Sequence, residues 1–134
     1  PRAWASRRIM AEENERVVEG DPHVLDARRH QKVLAVEMAR ALRCGDLALF
    51  GKMLDEAWET KKRQSSMVTN DVVDGVYSLA RKAGALGGKL CGAGGGGYMV
   101  LFAPDKAGPV SDTLRVVGLR PENVVCDFKG LQTW

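Results

Sequence analysis

Lys89-Leu90-Cys91-Gly92-Ala93-Gly94-Gly95-Gly96-Gly97 runs straight into Tyr98-Met99-Val100-Leu101-Phe102-Ala103. Five glycines fall within six positions, interrupted only by Ala93. Glycine loses more backbone freedom on folding than any other residue. A run of this kind therefore weakens a fold unless the backbone must take positive φ or approach another group without a Cβ in the way. The unbroken apolar run that follows is of strand length. A strand therefore leaves the loop and enters a core, with a shorter one expected before it at Lys89–Cys91. The loop is pinned at its exit, as a positioned loop is and a linker is not.

Two familiar phosphate loops match parts of this stretch. Gly92-x-Gly94-x-x-Gly97 satisfies the dinucleotide fingerprint, but that motif requires a helix after its last glycine and an acidic residue about 20 positions further on. Here a strand follows, and the corresponding position is Val117. A Walker A loop requires Gly-Lys-Ser/Thr after its glycines, and Gly97 is followed by Tyr98. A hairpin turn needs only one or two glycines, so five exceed that task. What remains is a strand–loop–strand segment whose bare backbone approaches something closely. Successive N–H groups in a concave loop form a nest for anions, phosphate above all. The same lack of side chains would also let the loop pack tightly on another loop.

The other 119 positions outside this 15-residue stretch are ordinary in composition. The whole chain of 134 residues is 45% hydrophobic and 28% charged, as expected for one globular domain over 1–134. Its net charge of +3 is too small and too dispersed for a nucleic-acid binder. Cys44, Cys91 and Cys126 are odd in number and far apart, which argues against a disulfide framework or a zinc site and fits a reducing, cytoplasmic setting. No apolar run approaches the roughly 18 residues that cross a bilayer, so no membrane partner is expected. Pro1 stands where an initiator Met would be, and the chain reads as part of a longer protein.

Helical signals dominate the first two thirds. An amphipathic helix is expected from about Ser6 to Val18, with Ser6 as its cap. Asp21-Pro22 then starts a long helix that ends at Gly45, its apolar residues including Leu25, Val33, Val36, Met38 and Leu42. Asp46 caps a third helix, with Leu47, Phe50, Leu54 and Trp58 on its apolar side and Lys61-Lys62-Arg63 at its end. Cations there complement the helix dipole, although one of them meeting a phosphate is the competing reading. A helix capped by Thr69 or Asn70 closes at Gly84, and another opens at Pro104-Asp105 and ends at Gly118. Glu122–Phe128, with Val124-Val125-Cys126, reads as a further strand. The sum is an α+β fold, a small and mainly antiparallel sheet with helices on one face. With so few strands visible, an open sheet edge offers pairing to a second copy of the chain.

The residues around the loop carry a family resemblance. Gly87-Gly88-Lys89-Leu90-Cys91-Gly92-Ala93-Gly94-Gly95-Gly96-Gly97-Tyr98 resembles the third, C-terminal motif of the GHMP kinases. With Asp46-Leu47-Ala48-Leu49-Phe50-Gly51, Glu56, Trp58, Lys61-Lys62, Ser66 and Thr69-Asn70, the likeness narrows to the heptose phosphate kinase branch. The resemblance covers about Asp46 to Phe128. It implies a ferredoxin-like α+β sandwich and an ATP- and Mg2+-dependent transfer of phosphate to a sugar or sugar-phosphate hydroxyl. It places Gly92, Ala93, Gly94, Gly95, Gly96 and Gly97 beside the nucleotide phosphates, with Lys89, Ser66 and Thr69 toward the substrate. The family's first motif and its catalytic Asp or Lys belong to an N-terminal kinase domain and have no match in these 134 residues. No catalytic residue is therefore expected here. A non-catalytic binding or regulatory module of the same fold is the competing expectation.

Other chemistry is weakly signalled. His23 and His30 lie on one helix without a carboxylate or cysteine cluster, which suits a solvated face better than a metal site. Cys91 has no nearby His and reads as a buried strand cysteine. Asp71 and Asp74 open a helix, where negative charge is stabilising in itself. Ser65, Ser66 and Thr69 suit either sugar hydroxyls or local capping.

Overall fold

The computed structural model describes residues 2–122, 124, 129 and 130, with residues 2–5 as backbone only. Helix α1 (Arg2–Val18) is followed by α2 (Pro22–Arg43), α3 (Leu47–Lys62) and α4 (Asp71–Lys82). Strands β1 (Gly87–Leu90) and β2 (Met99–Phe102) come next, and α5 (Ala107–Val116) closes the order. The plan is α+β, as the sequence indicates. The strand expected over Glu122–Phe128, Cys126 included, falls largely outside the described residues.

The helix starts follow from their caps. Asp21 accepts from the His23 amide at 2.9 Å, Asp46 from Leu49 at 2.9 Å and Asn70 from Val73 at 3.0 Å. Each bond satisfies an amide that the first helical turn leaves unpaired. Two expected starts move. Helix α1 begins at Arg2 rather than near Ser6, because nothing between Arg2 and Ala5 breaks a helix. Helix α5 begins at Ala107 rather than at Pro104, since Ala103 to Lys106 form a turn closed by a 3.2 Å backbone bond.

On α2 the buried stripe is Val24, Ala27, Leu34 and Ala41. Val33, Val36 and Leu42, which the sequence also counts as apolar members, are about half exposed or more, at 57%, 60% and 49%. The helix has a second apolar edge that its neighbours in this chain do not cover.

Strands β1 and β2 are antiparallel, with Gly87 opposite Phe102, Gly88 opposite Leu101, Lys89 opposite Val100 and Leu90 opposite Met99. The pairing continues one step toward the loop through Cys91 N–H to Tyr98 O at 2.8 Å. Strand β1 lies against α3, and the contact is bare backbone on both sides. A Cβ on Gly87 would sit 2.0 Å from Gly51 O, and one on Gly51 would sit 2.4 Å from Leu86 Cβ. Glycine is demanded at this crossing by distance alone. It also explains why β1 begins at Gly87, two residues before the Lys89 start expected from side-chain pattern.

Two clusters form the core. Ile9, Trp58, Val68, Val73, Tyr77 and Leu90 make one, joining α1, α3, α4 and β1 under the loop. Ala80, Ala85, Val110 and Leu114 make the other, between α4 and α5. Phe50 and Phe102 meet edge to face at 4.8 Å, tying α3 to β2. Among the described residues no helix is long and apolar enough to cross a membrane.

Candidate phosphate-loop site and adjoining cleft

All five loop glycines have positive φ: Gly92 at 77°, Gly94 at 131°, Gly95 at 73°, Gly96 at 146° and Gly97 at 107°. Side chains rarely adopt these angles, so the backbone path alone requires the glycine run. The loop is nonetheless not uniform. A Cβ on Gly94 would stand 2.7 Å from both Cα and O of Val68. The Gly95 amide donates to Val68 O at 2.8 Å, and Asn70 Nδ2 donates to Gly95 O at 3.3 Å. The middle of the loop is therefore packed on the turn that precedes α4. A Cβ on Gly92, Gly96 or Gly97 would meet nothing within 4 Å, and among the described residues their amides make no backbone bond. The tight packing expected from the sequence is met at Gly94 and Gly95, while Gly96 and Gly97 stay exposed.

The basic run that ends α3 divides in the same way. Lys62 pairs with Glu59 at 2.6 Å and lies 5.8 Å over the Trp58 ring. Arg63 donates to Thr60 Oγ1 at 3.1 Å. Lys61 turns elsewhere. Its ammonium donates to the carbonyl of Gly92 at the loop entrance. Burial, and then the nearby charge of Lys89, hold its pKa below the usual lysine value, while Glu13 and Cys91 pull the other way.

Lys61 and Lys89 both line a cleft of about 620 Å³ between α1, α2 and α3, together with Gly92 and Ala93 of the loop. Its floor is apolar, from Met10, Ala35, Met38 and Ala57. Glu13, Gln31 and Gln64 supply the other polar groups. Lys89 has no ionic or hydrogen-bonding partner for its side chain among the described residues. Gln64 is 4% exposed, and its side-chain nitrogen has no partner among the described residues. The backbone carbonyl of Gln64 is held by Arg16 of α1 at 2.8 Å.

The remaining sequence candidates disperse. Thr69 Oγ1 donates to Asp74 Oδ1 at 2.9 Å and so serves the first turn of α4. Ser66 is exposed and does not line the cleft. Ser65 is buried and donates to Glu12 Oε2 at 2.5 Å. Cys91 corrects the sequence reading: it is exposed, one residue past the end of β1. The chain turns into the loop there, so the strand alternation that would have buried it ends. His30 lies 2.7 Å from Glu56 on α3. Among the described residues no three His, Cys, Asp or Glu side chains could hold a metal ion.

Sequence reasoning did not find Gln64, Gln31 or Glu13. They come from three separate segments, and only the packing of α1 on α2 and α3 brings them together. Lys61 carried a faint signal, as one cation of the basic run at the end of α3.

Comparison with known proteins gives these positions a context. The family model described as GHMP kinases C terminal matches residues 38–115. The chain is 34% identical, over 92% of its length, to a D-glycero-alpha-D-manno-heptose 7-phosphate kinase of Campylobacter jejuni, covering 37% of that protein. It is 34% identical to a galactokinase of Mycobacterium tuberculosis over 68% of its own length and 26% of the other's. It is 45% identical to a mevalonate kinase of Thermococcus sibiricus over 48% of its length and 19% of that protein. The chain thus spans little more than a third, or less, of the curated relatives it matches.

Proposed function

We infer the function from one premise: the chain belongs to the GHMP kinase family, as its C-terminal domain. In a complete enzyme it forms one wall of a phosphoryl-transfer pocket and works with an N-terminal kinase domain that carries the catalytic residues. The reaction is transfer of the γ-phosphoryl group of ATP to a hydroxyl of a sugar or sugar phosphate, of the heptose phosphate class.

The observation that carries this reading is the open half of the glycine loop. Among the described residues the amides of Gly96 and Gly97 are unbonded, on a path that excludes side chains. A concave row of N–H donors suits phosphate oxygens whose charge is redistributed during transfer. ATP therefore fits the residues present, through the open amides of Gly96 and Gly97. Phosphoryl transfer depends on positioning and charge stabilisation more than on covalent chemistry by the protein, so a wall without a catalytic side chain contributes by holding the phosphates in place. Mg2+ finds no ligand cluster among the described residues. In this reading it takes its ligands from the nucleotide and from groups outside them.

The test is ADP release on adding ATP and sugar phosphates, for this chain alone and for the protein with its N-terminal domain. Turnover is expected from the two-domain protein and none from the chain alone. Robust turnover by the chain alone would refute the assignment. A second copy bound at the open sheet edge is a further part of the reading, and light scattering that gives a monomer mass at all concentrations would remove it.

A further inference from the structure

We propose that Asn70 is a positioning residue for phosphate binding: its side-chain amide fixes the peptide unit between Gly95 and Gly96 and so aims the Gly96 N–H at the open side of the loop. The proposal rests on the reading of the glycine loop as the nucleotide-phosphate wall of a kinase.

The two ends of the Asn70 side chain have different partners. The Val73 N–H in the first turn of α4 needs an acceptor, which only Oδ1 can be, and the bond is 3.0 Å. Nδ2 is left to donate, and it meets Gly95 O at 3.3 Å. That carbonyl shares one planar unit with the Gly96 N–H, and no peptide bond among the described residues is cis. In a trans unit the C=O and N–H point in opposite directions. A carbonyl turned toward Asn70 therefore turns the Gly96 amide away from it, and Gly96 is exposed.

Without such a hold this unit is free to turn over. Gly95 and Gly96 flank it, at φ of 73° and 146°, and neither carries a Cβ to resist rotation. Turning it over would present a carbonyl oxygen where the amide stood, and that oxygen repels phosphate. The neighbouring units differ. The Gly95 amide is held by Val68 O at 2.8 Å, the Val68 amide by Ser65 O at 3.3 Å, and Ser65 by Glu12 of α1 at 2.5 Å. The anchorage of Gly95 thus runs through the α3–α4 connector to α1. The carbonyl of Gly96, which shares a unit with the Gly97 amide, has no bond among the described residues. Of the two open amides, only that of Gly96 is aimed by a side chain.

The experiment compares the two-domain protein with its Asn70→Ser and Asn70→Asp variants. Three readouts are taken: urea unfolding, calorimetry with ATP, and the NMR signal of the Gly96 amide without nucleotide. Serine and aspartate cap helices as asparagine does, so both urea midpoints are expected to stay with the parent. Serine is one bond shorter and has no amide; aspartate keeps the shape but carries only acceptors. Asn70→Ser is expected to weaken ATP about fivefold, as for one neutral hydrogen bond, and to move the Gly96 signal. In turnover with a sugar phosphate, KM for ATP should rise about fivefold with kcat within about twofold, because saturating ATP selects the correctly turned peptide. Asn70→Asp sets an acceptor against Gly95 O and should move the Gly96 signal further, so it decides the matter if Asn70→Ser does not fold. Parent-like ATP affinity and an unmoved Gly96 signal in the variants would overturn the proposal and leave Asn70 a helix cap only. Weakened ATP binding that only follows a lowered urea midpoint, with the Gly96 signal unmoved, would overturn it too. A parent protein that binds no ATP would instead remove the kinase reading, and the Gly96 signal alone would then decide whether Asn70 holds the peptide.

Discussion

Gly94 and Gly96 are the same residue type two positions apart, and a methyl group separates them. At Gly94 it meets the backbone of Val68 at 2.7 Å on top of an unfavourable φ of 131°. At Gly96 the space is open, and only the φ of 146° opposes it. Gly94→Ala is expected to lower stability by about 3 kcal/mol and Gly96→Ala by about 1 kcal/mol, measured by urea unfolding. ATP-dependent turnover of the two-domain protein should show the opposite emphasis, with Gly96→Ala losing activity while it remains folded. The sequence shows that backbone conformation matters throughout the run. It does not show which glycines meet a neighbour, because Val68 lies in a separate segment whose approach only the packed core determines. Lys61 is a similar case: its place in a basic run suggests an ordinary helix end, and the cleft beside it is made by α1 and α2.

At the scale of elements, boundaries set by local chemistry are readable and those set by contact are not. Asp21, Asp46 and Asn70 cap their helices as their residue types predict. Gly45 takes the left-handed conformation expected after α2. The early start of β1 depends on Gly51 of α3, which no pattern within the strand contains. Asn70 joins the two kinds, since it caps α4 and also holds Gly95 O. Asn70→Ala is expected to cost about 1 kcal/mol from the cap, and hydrogen exchange at the Gly95 amide should quicken. Tyr77 links α4 to α3 by donating its hydroxyl proton to Asp55, which Arg81 also approaches at 3.6 Å. Burial, then the bond to Asp55, raise the Tyr77 pKa well above its ordinary 10.0. A group raised in the folded state contributes its full stability below the unfolded pKa and loses it as pH climbs further. The stability difference between the parent chain and Tyr77→Phe should therefore be constant below about pH 10 and shrink above it, by up to about 1.4 kcal/mol per pH unit. A difference that stays flat into strong alkali would contradict the assigned bond.

The described residues form a two-stranded sheet whose loop end is roofed by helices, and α1 is the piece that completes the cleft. It is fastened by Ile9 in the core, by Arg16 to Gln64 O and by Glu12 to Ser65. Ile9→Ala is expected to cost about 2–4 kcal/mol. Met10 and Glu13 beside it line the cleft, so the cleft's shape depends on the same anchor. Urea unfolding of the parent and the variant measures the loss. An α+β plan could be read from the order of periodic segments, and so could the family. The cleft could not be, since its walls come from three helices that no spacing rule brings together.

The tie between Gly95 and the turn at Val68 gives the loop a mechanical character. It is a clamp that leaves Gly96 and Gly97 as a two-residue span fixed at both ends, by Gly95 on Val68 and by Tyr98 on Cys91. Each residue ordered on binding costs roughly 1–2 kcal/mol of backbone entropy, so a free six-residue loop would forfeit much of any phosphate affinity. A phosphate bound at Gly96 and Gly97 would have to order those two residues alone.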